Sequence, residues 1–168
     1  MGIPGNSRFD SPGDQGEQPA ALEYSFVETA GGVVTVEVAG DAQVLADALA
    51  DSVGTRPPKG APQDGPSTYW IDRALARLHT PPAGPREAVI ASGNTTHLLL
   101  NDGVIEARYN FDPPDSEDVD AVPSPELIKL LEHWRRRVLE LDSDAARRMP
   151  APAPGRSSGS AGLTDRHR

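Results

Sequence analysis

The dipeptide Asp102-Gly103 constrains this chain more than any other short motif. It separates two segments of alternating hydropathy, and Asp-Gly is typical of a type I′ hairpin turn because both central residues need positive φ. A turn there pairs residues across the hairpin: Asn101 with Val104, Leu100 with Ile105, Leu98 with Ala107, and Thr96 with Tyr109. A shift by one residue would turn the apolar side chains towards water, so the sequence predicts the register as well as the hairpin.

The same register divides the hairpin into two faces. One predicted face is apolar and carries Leu98, Leu100, Ile105, Ala107, Tyr109 and Phe111. The other is mainly polar and carries His97, Leu99, Glu106, Arg108 and Asn110. Burial of a single face is typical of antiparallel sheets. Residues 88–92 predict a third strand, which joins the hairpin through a turn at Gly93-Asn94 and completes a three-stranded meander.

A long amphipathic helix is predicted after the hairpin. Ser124-Pro125-Glu126 combines an N-cap residue, a proline at the first helical position and an acid in the first turn. The apolar residues that follow recur at helical spacing and form one stripe: Leu127, Leu130, Leu131, Trp134, Val138 and Leu141. We expect Trp134 to lie in a core shared with the apolar face of the hairpin. The arginines at 135–137 are interpreted mainly as a solvated face.

The chain before the meander predicts a second hairpin and two helices. Residues 22–28 and 33–39 alternate in hydropathy and read as paired strands. A helix capped by Asp41 follows them, and another helix, capped by Ser67 or Thr68, comes after a proline-rich loop. The predicted order is β-β-α-α-β-β-β-α, which indicates an α+β fold with a mostly antiparallel sheet and helices packed on one face.

The two ends of the chain are poor in residues that build a core. Residues 1–20 are predicted to be a disordered N-terminal segment, and residues 147–168 a flexible basic tail rich in proline, glycine and serine. Residues 21–146 are predicted to form one domain.

The charge pattern limits the class of partner. The 168-residue chain has a formal charge of −9, and from Arg147 onward it holds five arginines and one acid, so the first 146 residues carry 11 basic and 24 acidic side chains. Such a body repels phosphate, so we expect no direct nucleic-acid binding by the domain. A basic protein partner fits this charge, although solubility alone is the commoner explanation of an acidic surface.

The chain contains no cysteine, which excludes disulfides, thiol catalysis and thiolate metal sites. No apolar run approaches the length of a membrane span, and residues 1–18 lack the hydrophobic core of a cleaved secretory signal. These features predict a cytoplasmic protein without a membrane partner.

The sequence contains no recognisable motif for catalysis or cofactor binding. Its histidines do not have metal-ligand spacing, and neither GxGxxG nor GxxxxGK[ST] occurs. His97 is the best single candidate for a general base, because it lies on the polar face opposite Arg108 and near Glu106, but an ordinary exposed strand residue is the favoured interpretation. The segment at residues 93–96 is interpreted as a plain turn rather than a phosphate-binding turn or a nucleophile. We therefore predict no enzyme activity, no catalytic residue, no cofactor and no metal ligand.

The densest charge feature is the connection between the hairpin and the last helix. Its acids are Asp112, Asp115, Glu117, Asp118 and Asp120. A solvated loop is the first interpretation, a docking surface for a basic partner the second, and a metal site the third, because EF-hand spacing is missing.

Two aromatic residues stand where the proline-rich loop meets the second helix of the chain. By helical phase Tyr69 lies opposite the apolar stripe, so it is either an exposed interface anchor or covered by the loop. Trp70 lies at the edge of the stripe and is predicted to be buried.

Three segments together resemble the immunity proteins that bacteria encode beside polymorphic or contact-dependent toxins: DPPDSEDVD, GNTTHLLLNDGVIEARY and LLEHWRRRVLEL. The resemblance extends over about residues 22–142 and concerns general character. It implies a protein that binds a basic toxin domain in the cytoplasm and occludes its active site without catalysis. In that case the acids from Asp112 to Asp120 supply charge, and Tyr69 supplies an aromatic anchor.

Two other classes of function compete with this one. The first is an accessory or regulatory protein that recruits a partner through its tails. The second is a small enzyme that uses His97 with Glu106 or Arg108.

Overall fold

The computed structural model describes residues 21–30, 32–80, 87–113 and 115–148. Within them the chain forms β1 (Tyr24–Glu28), β2 (Val34–Val38), α1 (Gln43–Ala48), a π-helical turn (Leu49–Val53), α2 (Tyr69–His79), β3 (Glu87–Ser92), β4 (Thr96–Asn101), β5 (Val104–Tyr109), β6 (Val119–Pro123) and α3 (Ser124–Arg148). The predicted segment 1–20 lies outside the described residues. Helix α3 continues past the predicted start of the tail at 147, and the rest of that tail lies outside them as well.

The fold is α+β, as the sequence predicts. β1 and β2 form an antiparallel hairpin, and β3 to β6 form an antiparallel meander in chain order. The predicted order of helices and strands is confirmed, with one strand added. That strand is β6, which lies inside the connection that the sequence analysis treated as a loop.

The central hairpin, β4–β5, has the predicted register. All four predicted pairs are present, from Asn101 with Val104 at the turn to Thr96 with Tyr109 at the far end. Asp102 and Gly103 both have positive φ, 47° and 85°, as a type I′ turn requires. Local turn chemistry and apolar alternation are therefore enough to set this part of the sheet.

The two faces of the hairpin differ from the prediction at two residues. Leu98, Ile105 and Ala107 are fully buried as expected, but Phe111 is 86% exposed. β5 ends at Tyr109, so Phe111 falls in the following turn and no longer alternates with the strand. Leu99, which was predicted on the mainly polar face, is nevertheless buried, and it lines the pocket between that face and the β5–β6 connection.

Strand β6 is hard to recognise in the sequence because it contains Asp120 and directly follows a run of other acids. It pairs with β5 so that Val122 stands opposite Ile105 and Asp120 opposite Ala107. Because Ile105 and Ala107 are buried, Asp120 and Val122 also belong to the inner face of the sheet. Val122 joins the hydrophobic core, and Asp120 meets the start of α1.

The predicted cap of α1 by Asp41 is wrong. The helix begins at Gln43, so Ala42 occupies the N-cap position. The methyl side chain of Ala42 cannot accept a hydrogen bond from the first turn. The backbone N–H of Leu45 instead donates to Asp120 Oδ2 at 2.9 Å. A carboxylate from β6 thus satisfies a first-turn donor of α1 and lies at its positive end.

Helix α3 covers the core with the predicted stripe. Leu127, Leu130, Leu131, Trp134 and Val138 are buried, and they share one hydrophobic cluster with Leu98 and Ile105 of the meander. The indole N–H of Trp134 donates to the backbone oxygen of Val34 in β2 at 3.2 Å. The tryptophan therefore packs in the shared core and also ties α3 to the first hairpin.

Candidate functional site

The β5–β6 connection is folded by its own hydrogen bonds. Asn110 N–H donates to Thr95 O at 2.8 Å, which fixes the start of the connection on the β3–β4 turn. Further along, Ser116 N–H donates to Pro113 O at 3.0 Å, and Val119 N–H donates to Glu117 O at 2.8 Å. The described residues 110–113 and 115–118, together called the acidic loop below, therefore form turns held between two strands.

Three predicted site residues lie on the open side of the acidic loop. Asp115, Glu117 and Asp118 are exposed, and none of their carboxylates forms an ion pair with a residue that the structure describes. Phe111 lies on the same loop with 86% of its surface exposed. The sequence pattern predicts Phe111 on the apolar face of the hairpin. Its exposure on the acidic loop is therefore a difference from the prediction.

The other two acids of the set occupy different surroundings. Asp120 is half-buried on β6, and its carboxylate accepts the hydrogen bond from Leu45. Asp112 is half-buried at the base of the loop, and its Oδ2 is buried with no hydrogen-bond partner among the described residues. Both carboxylates are less accessible to a partner than Asp115, Glu117 and Asp118.

Tyr69 lies away from this loop in the first turn of α2. It is 44% exposed, and its ring packs edge-on against Trp70 with centroids 4.8 Å apart. Trp70, which was predicted at the edge of the stripe and buried, is half-buried and packs against the core. α2 makes its main contacts with α3, β3 and the π-helical turn. Tyr69 is thus an exposed aromatic residue, on a separate surface from the acids.

His97 lies beside a pocket of about 240 Å³ between the outer face of the meander and the acidic loop. Its Nδ1 lies 2.7 Å from Asn110 Oδ1, and because an amide oxygen only accepts, the imidazole donates here. The predicted pairing of His97 with Arg108 across the strands is confirmed. Glu106, however, is bound to Arg108 at 2.6 Å and to Asn101 at 3.2 Å.

The environment of His97 gives little support for general-base chemistry. The Arg108 guanidinium holds the pKa of Glu106 below its usual value, so this carboxylate is committed to an ion pair. Among the described residues, no carboxylate forms a hydrogen bond with the imidazole of His97, and an oriented general base normally needs such a partner. Within the same residues there is also no group of three or more His, Asp or Glu side chains placed to hold a metal ion.

The turn at residues 93–96 binds a carboxylate from its own chain. Asp51, on the π-helical turn, accepts hydrogen bonds from the backbone N–H groups of Asn94, Thr95 and Thr96 at 3.2, 2.8 and 3.0 Å. The hydroxyls of Thr95 and Thr96 donate to it as well, at 3.1 and 3.0 Å. Burial raises the pKa of Asp51, but these hydrogen bonds outweigh it and lower the pKa to about 2.

This carboxylate clamp was missed by sequence reasoning. The segment Gly-Asn-Thr-Thr was recognised as a turn, and a glycine followed by two threonines is a reasonable signal for a set of convergent donors. Nothing in the sequence identifies Asp51 as the acceptor, because it lies 43 to 45 residues earlier in the chain. The turn therefore binds an anionic group, and this group is the carboxylate of Asp51 in the same chain.

In comparisons with protein-family models, with curated proteins and with solved structures, no match to this chain was found. None of the helices among the described residues is long and apolar enough to cross a membrane.

Proposed function

We propose that the protein is a non-catalytic protein-binding module, most concretely an immunity- or antitoxin-like protein that binds a basic toxin domain and occludes its active site. The observation that carries the proposal is the exposed ring of Phe111 on the same ordered loop as the exposed carboxylates of Asp115, Glu117 and Asp118. An apolar anchor with a charged rim is the common composition of a protein-docking site.

The order of the acidic loop supports this role. Its start is fixed on Thr95, and Asp118 N–H donates to Ser116 Oγ at 3.2 Å near its end. A loop that is already folded before binding loses less conformational entropy when a partner docks. The exposed carboxylates can therefore act as a preorganised set rather than as independent side chains.

The charge of the whole chain favours a basic partner. The formal charge is −9, and the carboxylates of the loop add to a field that attracts a positively charged protein over distances longer than direct contact. Electrostatic attraction of this kind acts mainly on the association rate, whereas the buried aromatic contact acts mainly on dissociation. Phe111 and the three acids should therefore have separable effects.

The direct experiment first searches the neighbouring genes for one that encodes a toxin-like domain and then tests that domain. Co-expression with this protein should abolish the growth arrest that the toxin domain causes, and the two chains should purify together. Neutralising the loop with Asp115→Asn, Glu117→Gln and Asp118→Asn should slow association about tenfold at low salt, with the difference shrinking as salt rises. Phe111→Ala should instead speed dissociation about tenfold or more.

A matched control removes the same number of charges elsewhere. Glu28, Glu37 and Asp41 are exposed near the first hairpin, and their neutral amide variants change the net charge equally. If both triple variants slow association to the same extent, the loop has no special role. Growth arrest that persists despite a stable complex would contradict the inhibitor function.

Tyr69 is tested separately because it lies on another element. If the partner covers both surfaces, Tyr69→Ala weakens the complex in addition to Phe111→Ala, and the two effects add because the residues do not touch. If Tyr69→Ala leaves affinity unchanged, the partner is confined to the acidic loop.

A small enzyme using His97 is the second candidate function, and the pocket of about 240 Å³ beside this residue is the observation that favours it. A turnover that His97→Ala abolishes without unfolding the protein would establish it. Recruitment of a partner through the tails concerns residues outside the described part of the chain, and deletion of residues 1–20 and 149–168 tests it.

A further inference from the structure

A small basic pocket lies between α2 and β3, in a protein whose overall charge is strongly negative. It has a volume of about 170 Å³, and its polar lining comes from Arg73 and Arg77 of α2, from Ser52 on the π-helical turn and from Ser92 of β3, with Trp70 beside them. The described residues that line it include no aspartate or glutamate. This pocket has therefore the opposite electrostatic character from the acidic loop.

The two arginines are held in place without a carboxylate partner among the described residues. Arg77 Nη1 donates to Ile90 O at 3.0 Å and lies 3.5 Å from Val89 O, on the outer edge of the meander. The Arg73 guanidinium carbon lies 5.9 Å from the centre of the Trp70 ring, a distance typical of a cation–π contact. Both guanidinium groups are thus positioned by neutral groups, which leave their positive charges uncompensated.

Arg135 on helix α3 differs from Arg73 and Arg77 because it forms an ion pair with a carboxylate. Arg135 on α3 lies 2.6 Å from Asp72, which is the neighbour of Arg73 on α2. The nearest acid of α2 is therefore already committed to another arginine. The arrangement leaves Arg73 and Arg77 as the cationic pair of this surface.

The unused donors of the pocket define the chemistry of its ligand. A guanidinium has five N–H donors, and the contacts of Arg73 and Arg77 involve one terminal nitrogen of each. The hydroxyl of Ser92 has no hydrogen-bond partner among the described residues. Arg73 and Arg77 are four residues apart on α2 and therefore project from one side of the helix. These donors fit a ligand group that is negatively charged and rich in acceptor oxygens.

We propose that this pocket binds a phosphate group, either inorganic phosphate or the phosphoryl group of a small phosphate monoester. Guanidinium groups bind the oxygens of phosphate through pairs of parallel hydrogen bonds, and two of them offset a dianion. A volume of about 170 Å³ leaves room for a phosphate group beside the two guanidinium groups. The proposal does not depend on the acidic loop. The pocket adjoins the Tyr69 surface, because Arg73 Nη1 lies 3.5 Å from the hydroxyl oxygen of Tyr69.

The test is a titration of the full-length protein followed by ¹H–¹⁵N NMR at constant ionic strength. The probes are inorganic phosphate and methyl phosphate, each balanced against chloride. The indole N–H of Trp70 and the side-chain Nε–H of Arg73 should shift and saturate. The indole N–H of Trp134, which is buried and bonded to Val34, serves as an internal reference.

Substitutions then assign the effect to the pocket. Arg73→Gln should weaken phosphate binding about tenfold, which is the loss expected for one charge-assisted hydrogen-bonding group. Arg73→Lys should weaken it less, because the charge stays while the planar fork is lost. Arg136→Gln removes one positive charge from an exposed position on α3 and should leave the affinity unchanged.

Two results would overturn the proposal: shifts that grow linearly without saturating, or equal shifts in the Arg73→Gln and Arg136→Gln proteins. The two probes separate the possible sources of the phosphate. Tighter binding of methyl phosphate identifies a monoester ligand, whereas tighter binding of inorganic phosphate identifies the free ion. Both of these outcomes support the pocket as a phosphate site.

Discussion

The carboxylate of Asp51 packs directly against Gly93. A β-carbon on residue 93 would overlap Oδ2 and Cγ of Asp51 and would come within 2.8 Å of its backbone carbonyl carbon. Glycine is needed here because of this close approach. The contact joins the π-helical turn to the β3–β4 turn. The start of the acidic loop is bonded to the same β3–β4 turn, because Asn110 N–H donates to Thr95 O.

Gly93→Ala should destabilise the protein because the new methyl group displaces Asp51 from its donors. We expect the free energy of unfolding to fall by about 1–3 kcal/mol, in the range of a substitution that overpacks a tight contact. Urea unfolding followed by circular dichroism measures it. Asn94→Ala is the control, since Asp51 contacts the backbone N–H of that residue, and its effect should stay within about 0.5 kcal/mol. Equal losses in the two variants would contradict the steric explanation.

The stability of the protein should depend on Asp51 at acid pH. The pKa of Asp51 is about 2 in the folded protein against 3.8 in the reference state, so the folded state binds fewer protons in this range. Its contribution is therefore fully present above pH 3.8 and is lost as the pH falls towards 2. Because the group is partly exposed, we expect roughly 1–2 kcal/mol.

Asp51→Asn tests this pH dependence. The variant should be less stable than the natural protein at pH 6, and the difference should shrink between pH 4 and pH 2. Urea midpoints at a series of pH values give the comparison. A difference that stays constant down to pH 2 would show that the carboxylate's charge is not what stabilises the turn.

Tyr109 should make stability depend on pH at the alkaline end. Its hydroxyl donates to Asp47 Oδ2 at 2.7 Å, and this hydrogen bond, together with burial and the charge of Asp47, raises the pKa of Tyr109. A raised pKa in the folded state means that the contribution is present below pH 10 and is lost as the pH rises through the folded value. Tyr109→Phe should cost about 1 kcal/mol at pH 7 and less at higher pH, as measured by urea unfolding. Tyr69→Phe, which removes an exposed hydroxyl on α2, is the control and should change the free energy of unfolding at pH 7 by less than about 0.5 kcal/mol.

The parts of the fold that the sequence predicts are those that local patterns determine. The register of β4–β5 follows from Asp102-Gly103 and from strict alternation, and the buried face of α3 follows from helical spacing. Strand β6 was missed because Asp120 and the acids before it obscure a short alternation in which only Val122 joins the hydrophobic core. A pattern of five residues with one buried apolar side chain is too weak to distinguish a strand from a loop.

The candidate site was predictable in composition but not in geometry. The acids of the β5–β6 connection were identified from the sequence, yet Asp120 differs from Asp118 only in its tertiary surroundings, because its partner Leu45 lies 75 residues earlier. Phe111 was misplaced because β5 ends at Tyr109, and the chain then turns, with Asp112 N–H 3.4 Å from Tyr109 O, so the strand alternation does not continue to Phe111. A long-range contact such as that of Asp120 with Leu45 leaves no periodic signal in the chain.

Asp120 on β6 should behave as a structural residue, in contrast to the exposed acids of the acidic loop. Its carboxylate accepts the N–H of Leu45 in the first turn of α1, so Asp120→Ala should lower the free energy of unfolding by about 1 kcal/mol, the usual effect of losing a helix cap. Asp118→Ala removes an equal charge two residues away, from an exposed position, and should change stability by less than about 0.5 kcal/mol. Urea unfolding of the two variants side by side decides between a cap and a generic acidic surface. If both variants unfold at the same urea concentration, the hydrogen bond from Leu45 to Asp120 does not stabilise α1. Asp120 would then be one more acid that can contact a partner.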